Sequence, residues 1–399
     1  MKKFLRFIRR TLFYMLLIIA AMLFAYYLMA PVYDFSGPGS FSGSKLYNPY
    51  KNMEPTQWKR YNFQVQSRAW LGLTSGRGNS NELIDSAYTA LGFDYVATSD
   101  YQKINLHGKN KPSFIPTYEH GYNFFKTHQV CIDARKVLWT DLAIWQSKSM
   151  KQWIIDQLKE DCGIVALAHP ALRKGYKLKD MQFLCRYDLL EVLCGTHISA
   201  NHWDVALSSG QLAWILADDD THNIRNLKEL GRSFTMINSP TTNKKDVLAA
   251  LSSGNSYGVN YYNSIDTTLK EKAEKIKKLP YLVSAELKGD TFSVTFSRHM
   301  LHIEFIGENG QIRKKISNKR SASYIIQPDD PYIRVKANFY YVCDYYLNPV
   351  VRYEGEAPQS VKTAVIDVKA TLRNRIIYFM ALLTLAFLYA KRKQKKTSK

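Results

Sequence analysis

Carboxylates, imidazoles and amides gather at the ends of short apolar runs in this chain. Ser99-Asp100-Tyr101 follows the run 93–98, Glu119-His120 follows 114–118, and His128 precedes 130–132. His169 follows 164–168, Glu191 lies within 187–193, and Asp218-Asp219-Asp220-Thr221-His222 follows the apolar part of 212–217. Imidazole and carboxylate side chains ligate Zn, Mn and Fe, and they exchange protons at moderate pH. Singly, each has an ordinary explanation: a surface histidine at His128, a loop acid at Glu119, a solvated turn at the three aspartates. Together, delivered by several strand ends rather than by one helix, they point to a metal or phosphate site.

The elements that must position them come from 399 residues, of which 46% are hydrophobic and 13% aromatic. That composition excludes a disordered or collagen-like chain and leaves room for two bodies of roughly 100–200 residues each. Over 58–263, strand-like runs at 61–67, 93–98, 114–118, 130–132, 164–168, 187–193, 212–217 and 233–238 alternate with helical ones at 80–91, 149–162 and 244–252. Ser80 and Gly92 punctuate the first of those helices as cap and stop. Buried strands alternating with helices predict an α/β domain with a largely parallel sheet, open or closed into a barrel. The pattern then changes. A charged connecting helix is expected within 264–280, followed by period-two alternation in 291–297 and 301–306 and later strands at 332–335 and 350–353. Those runs predict a small antiparallel β-sandwich over 281–372, while the Gly-, Ser-, Pro- and Tyr-rich stretch 31–57 reads as a linker. The five cysteines form no C-x-x-C pair and read as buried small hydrophobes. No Walker loop, G-x-G-x-x-G or zinc-finger spacing is present, so nucleic acid gains no support as a partner.

The stretches NFQVQS, NELIDSAYTALGFDYVATSD, YEHGYNFFKTHQV, GIVALAHP, YDLLEVL and ADDDTH, in that order over 58–259, resemble the PHP (polymerase and histidinol phosphatase) superfamily. The resemblance implies a distorted (β/α)7 barrel carrying up to three Zn, Mn or Fe ions and hydrolysing phosphoesters. Glu119, His128 and His169 match the bridging glutamate and two histidines of the family's second metal site. Asp220 and His222 match its closing Asp-x-His motif. The departures are as informative. Where the family opens with His-x-His-Thr, this chain has Gln64-Val65-Gln66-Ser67, and where a motif ends Asp-His it has Asp100-Tyr101. Residues two apart in a strand share a face, so both imidazoles of the first metal are replaced together by amides. One two-His-one-carboxylate set remains, implying at most one tightly held divalent metal. Two readings stay open: a reduced phosphoesterase with Asp220 or His222 as base, and a catalytically inactive binding or scaffolding module.

The ends read as membrane anchors. Residues 11–30 are 20 residues without a charge behind five Lys and Arg in 1–10, and the uncharged run 376–390 precedes six more in 391–399. Basic flanks stay cytoplasmic, which predicts cytoplasmic segments at 1–10 and 391–399, spans within 1–30 and 373–399, and an extracytoplasmic body, periplasmic in a bacterium. The 15-residue second run covers only about 22 Å, so it is expected to be a short span. Of the 55 Lys and Arg, 44 lie between the termini against 34 acids, an excess that suits an anionic lipid, glycan or phosphorylated envelope component. An alkaline phosphatase reporter fused after Glu54 is expected to be active and one fused after Lys399 inactive; activity from the second fusion would remove the C-terminal span.

Overall fold

The computed structural model describes residues 2–74, 76–262 and 265–397. The chain runs α1 (Lys2–Met29), β1 (Tyr33–Phe35), β2 (Lys45–Tyr47), β3 (Trp58–Val65), α2 (Asn81–Ala90), β4 (Tyr95–Thr98), β5 (Thr117–His120) and β6 (Gln129–Ala134). It continues through α3 (Lys148–Asp161), β7 (Cys162–Leu167), α4 (Leu178–Met181), β8 (Leu189–Cys194), β9 (His197–Ile198), α5 (Ala200–Ser208), β10 (Trp214–Asp218), β11 (Ser233–Asn238), α6 (Lys244–Ser252) and β12 (Ser256–Tyr261). The remainder is α7 (Leu269–Lys277), β13 (Leu282–Lys288), β14 (Thr291–Ile306), β15 (Ile312–Ile325), β16 (Tyr332–Phe339), β17 (Cys343–Leu347), β18 (Val350–Tyr353), β19 (Ala364–Ile366) and α8 (Val368–Thr397). Local chemistry sets several of these limits. The Ser80 hydroxyl accepts from the Leu83 amide at the start of α2, and Ser147 accepts from Met150 at the start of α3.

The fold is mixed α/β with several sheets, and no sheet among the described residues is closed. One sheet orders its strands β10-β8-β7-β6-β5, with β9 beside β8. Its β10/β8 and β8/β7 pairs are parallel, whereas β7/β6 and β6/β5 are antiparallel. The expected largely parallel sheet therefore holds for only part of it. A second, larger sheet carries the parallel pair β3/β4 at one end. Two isolated bridges, Tyr101 with Glu119 and Val65 with Thr221, join the edges of these sheets at the end where the polar residues lie. Inside this arrangement, Tyr61 and Phe63 of β3 pack with Val130, Ile164 and Leu216 in one apolar cluster.

Two expectations fail. The C-terminal strands form no separate sandwich, because β12 pairs antiparallel with β17 and the larger sheet runs continuously as β13-β14-β16-β17-β12-β11-β3-β4. All of β12 is buried, and a Cβ on Gly258 would stand 2.7 Å from the Ile215 side chain, so a glycine lets β12 lie close over β10. The runs 291–297 and 301–306 are also one strand, with a register shift between Thr295 and Met300. The linker expectation fails as well: β1 pairs with β19 and β2 with β18, and Tyr33, Phe41 and Tyr50 are buried. Large aromatic side chains bury too much apolar area to remain in a solvated tether. The expected boundary at 263/264 lies outside the described residues.

All five cysteines are buried and unpaired. The helices α1 and α8 supply stretches, Lys3–Met29 and Val368–Arg392, long and apolar enough to cross a membrane. The short run 376–390 is thus part of a longer helix.

A buried ion pair ties the two halves together: Arg334 of β16 donates twice to Asp204 of α5, each bond 2.7 Å. Removing one partner strands a buried charge and costs about 3–5 kcal/mol, whereas apolar replacement of both costs far less. Asp204→Ala should therefore lower the denaturation midpoint well below that of the pair Asp204→Leu with Arg334→Met, as read by urea unfolding in detergent.

Candidate metal centre

Glu119 is the centre of the site. It projects from β5 and is wholly buried, and three side chains from three other elements reach its two oxygens. His128, one residue before β6, places Nδ1 2.5 Å from Oε1; His169, two residues beyond β7, places Nε2 3.2 Å from the same oxygen. Gln66, just past β3, donates through Nε2 to Oε2 at 2.7 Å. Burial opposes ionisation of Glu119, but the two imidazoles outweigh it and hold its carboxyl well below the usual range. Burial meanwhile lowers His128 despite the facing carboxylate, which favours the neutral imidazole that a metal requires.

Ligand atoms of Glu119, His128 and His169 all lie within 4.8 Å of one another, and this is the one such group of His, Cys, Asp and Glu among the described residues. The donor set fits a Zn, Mn or Fe ion: two buried imidazoles and a carboxylate, with His169 Nδ1 left without a partner. The first metal of the expected cluster does not fit. The Gln66 amide points an N–H at the oxygen that would have to bridge, and its own carbonyl oxygen has no partner. Gln64 is buried with both amide atoms unpartnered.

Asp220 and His222 do not join the three-ligand group. Asp220 stands on a left-handed backbone (φ 49°) just after β10; its Oδ2 accepts from the Cys194 thiol at 3.7 Å, and its Oδ1 is buried without a hydrogen-bond partner. Burial, together with Glu119, pushes the Asp220 carboxyl up to about 6 against the opposing pull of His222. His222 turns Nδ1 to the Asp220 carbonyl at 2.7 Å. Burial lowers its imidazole, and the facing Asp220 more than reverses that, leaving it above the ordinary value. Tyr101 pairs as a bridge with Glu119, and burial followed by the charges of Glu119 and Asp220 drives its phenol far up, so it remains neutral. Asp100 is consumed structurally, accepting from the Ser67 amide, the Ser67 hydroxyl and Asn105.

Two acids of the strand-end group that were given neither a ligand nor a catalytic role lie beside it. Glu191 of β8 accepts the His169 amide at 2.6 Å, and Asp218 of β10 accepts the Phe63 amide at 2.6 Å; each keeps one oxygen without a partner. Burial, then neighbouring acids, holds both carboxyls well above their ordinary values. For Glu191 the signal was an acid flanked by Leu190 and Val192 inside an otherwise apolar strand.

An open pocket of about 600 Å³ reaches His128 alone of the three, and is lined also by Trp70, Tyr101, Tyr122, Lys126 and Trp139 among others. Lys126 holds its ammonium 5.1 Å from the Tyr101 ring. Left-handed backbone at Trp70, Leu71, Gln102, Lys126, His169 and Asp220 marks the loops around it, a strain that ordinary connections avoid.

No family model and no curated protein sequence matches the chain. Among solved structures it is similar to a two-domain protein from Bacteroides vulgatus ATCC 8482 described as containing a predicted PHP-like metal-dependent phosphoesterase. The identity is 11%, the TM-score 0.36, and the match covers 83% of this chain and 99% of that one. Likeness at that level defines neither a shared fold nor a shared activity.

The geometry predicts a metal content of about one equivalent or less after purification with Zn or Mn, falling sharply in His169→Ala and His128→Ala. Two or three equivalents by elemental analysis would mean that Gln64 and Gln66 ligate after all.

Proposed function

We propose that the chain is a membrane-anchored, extracytoplasmic PHP-like domain that acts as a reduced, one-metal phosphoesterase on an anionic envelope substrate. The observation that carries this reading is the buried Glu119–His128–His169 group, whose His128 lines an open pocket. When bound there, a divalent metal supplies Lewis-acid polarisation and lowers the pKa of a water. Glu119, His128 and His169 hold it. Asp220, with one unpartnered oxygen and a carboxyl near 6, is matched to taking a proton from water near neutral pH. His222 orients against the Asp220 backbone, and the Lys126 ammonium at the pocket draws an anionic group inward. Activity would be reduced because Gln64 and Gln66 offer amides rather than imidazoles for a second metal, so the charge stabilisation of a two-metal site would be lessened.

One observation favours the alternative, an inactive binding or scaffolding module. The Gln66–Glu119 hydrogen bond satisfies the carboxylate without any ion. Rebuilding the first site separates the two readings. Gln64→His with Gln66→His removes that hydrogen bond and offers two imidazoles on one strand; Tyr101→His adds a third. Under the enzyme reading the wild type hydrolyses an aryl phosphate slowly, with loss in His169→Ala, and the rebuilt variants bind more metal and run at least tenfold faster. A wild type without measurable hydrolysis, whose rebuilt variants gain it, is a pseudoenzyme. A wild type faster than its rebuilt variants would show that the glutamines belong to a working site.

A further inference from the structure

Around the pocket the protein exposes apolar side chains that none of the described residues covers. Leu71 is 96% exposed, Phe124 74% and Trp139 54%; Leu73, Phe125 and Ile144 are also exposed. They belong to three loops, 70–74, 121–127 and 139–145, which are fastened to one another. Trp70 and Trp139 meet edge to face at 6.2 Å, the Tyr122 amide donates to Asp141 at 2.7 Å, and the Phe124 amide donates to the Ala143 carbonyl at 3.0 Å. These ties make the apolar rim one surface rather than scattered residues. Soluble proteins seldom leave so much large apolar side chain together without a partner.

The same surface is fastened to the outer end of α1. The Tyr27 hydroxyl accepts the amides of Ile144 and Trp145 at 2.9 and 3.1 Å, and the Tyr27 and Trp145 rings lie 4.1 Å apart. Tyr27 and Ala30 are buried, while 3–22 stand exposed along the helix. The uncharged stretch of α1 runs to Ala30, so the body grips the last six or seven residues of the apolar segment, a depth on the order of 10 Å. At the same level α8 leaves the body: Arg375 donates to the carbonyls of Leu28 and Met29, and Tyr378 meets Phe24 at 6.3 Å. Tyr27, Trp145 and Arg375 are the residue types that mark a membrane–water boundary.

We infer that the rim formed by loops 70–74, 121–127 and 139–145 docks on the bilayer that α1 and α8 cross, so that the pocket opens at the membrane surface and receives the phosphate headgroup of a lipid. This rests on the phosphoester reading above for the headgroup, but the docking stands on the rim and the helices alone. Trp, Phe and Leu enter the interfacial zone, and Lys126, at the pocket, meets the lipid phosphate. A lipid so presented needs no extraction into water.

The test uses the full chain in nanodiscs. Because all five native cysteines are buried, a bimane label can be directed to Phe124→Cys, with Lys288→Cys on the charged β13–β14 turn as the control. Lipids brominated near the headgroup should quench the Phe124 label several-fold more than the Lys288 label; equal quenching overturns the docking. Nanodiscs containing phosphatidic acid are then compared with soluble glycerol 3-phosphate as ligand or substrate. Phe124→Asp with Phe125→Asp should reduce quenching and use of the lipid at least fivefold while metal content and handling of glycerol 3-phosphate stay unchanged. Equal handling of both phosphates by the parent protein overturns the lipid assignment. Quenching with neither phosphate bound or hydrolysed supports the docking and overturns the phosphoester reading on its own.

Discussion

A carboxylate with no access to water has to be compensated where it stands, and Glu119 imposes that constraint on everything around it. Its two oxygens draw in the ends of β3, β6 and β7 through Gln66, His128 and His169. Tyr101 extends the same dependence to the segment after β4 through its bridge with Glu119. The two open sheets meet at this point because the polar ends of their strands can be satisfied only by one another. Two imidazoles reach Oε1 and one amide donates to Oε2, so both carboxylate oxygens find partners.

Behind Glu119 the balance is reversed. Glu191, Asp218, Asp219 and Asp220 lie close together, and burial raises all four carboxyls, Asp219 and Asp220 to about 6. A carboxyl raised on folding is best accommodated below its unfolded value near 4, and the protein loses stability as pH climbs from there through about 6. Glu119 works with the opposite sign, its contribution being lost as pH falls below the ordinary carboxylate range toward its own depressed value. The two trends oppose each other among neighbouring buried carboxyls.

The termini complete the architecture. Strands β1 and β2, just beyond α1, pair with β19 and β18, just before α8, so the body begins and ends at the same edge. Lys362 extends this closure inward, donating to the carbonyl of Met181 at the end of α4, with its pKa lowered to about 7 by burial. A body held at both ends beside two apolar helices has little freedom to turn, which fixes which loops stand nearest the helix ends.

By itself the sequence determined the local structure and the candidate chemistry. Apolar runs ending in His169 and Asp218 formed strands because burial of such runs needs no partner information, and Ser80 began a helix through a bond to its own neighbour Leu83. Strand ends marked a wide group of acids and imidazoles, and the resemblance to a known superfamily singled out Glu119, His128 and His169, whose ligand atoms the structure brings together. Only the tertiary structure decided who pairs with whom. Period-two alternation makes a strand without naming its neighbour, so the continuous sheet through β12 and β17, and the burial of Tyr33 and Tyr50 in a supposed linker, could not be read in advance. The same holds for Gln66. Its type gave no partner, and its hydrogen bond to Glu119 depends on two residues 53 positions apart meeting at 2.7 Å, a distance that packing sets and composition does not.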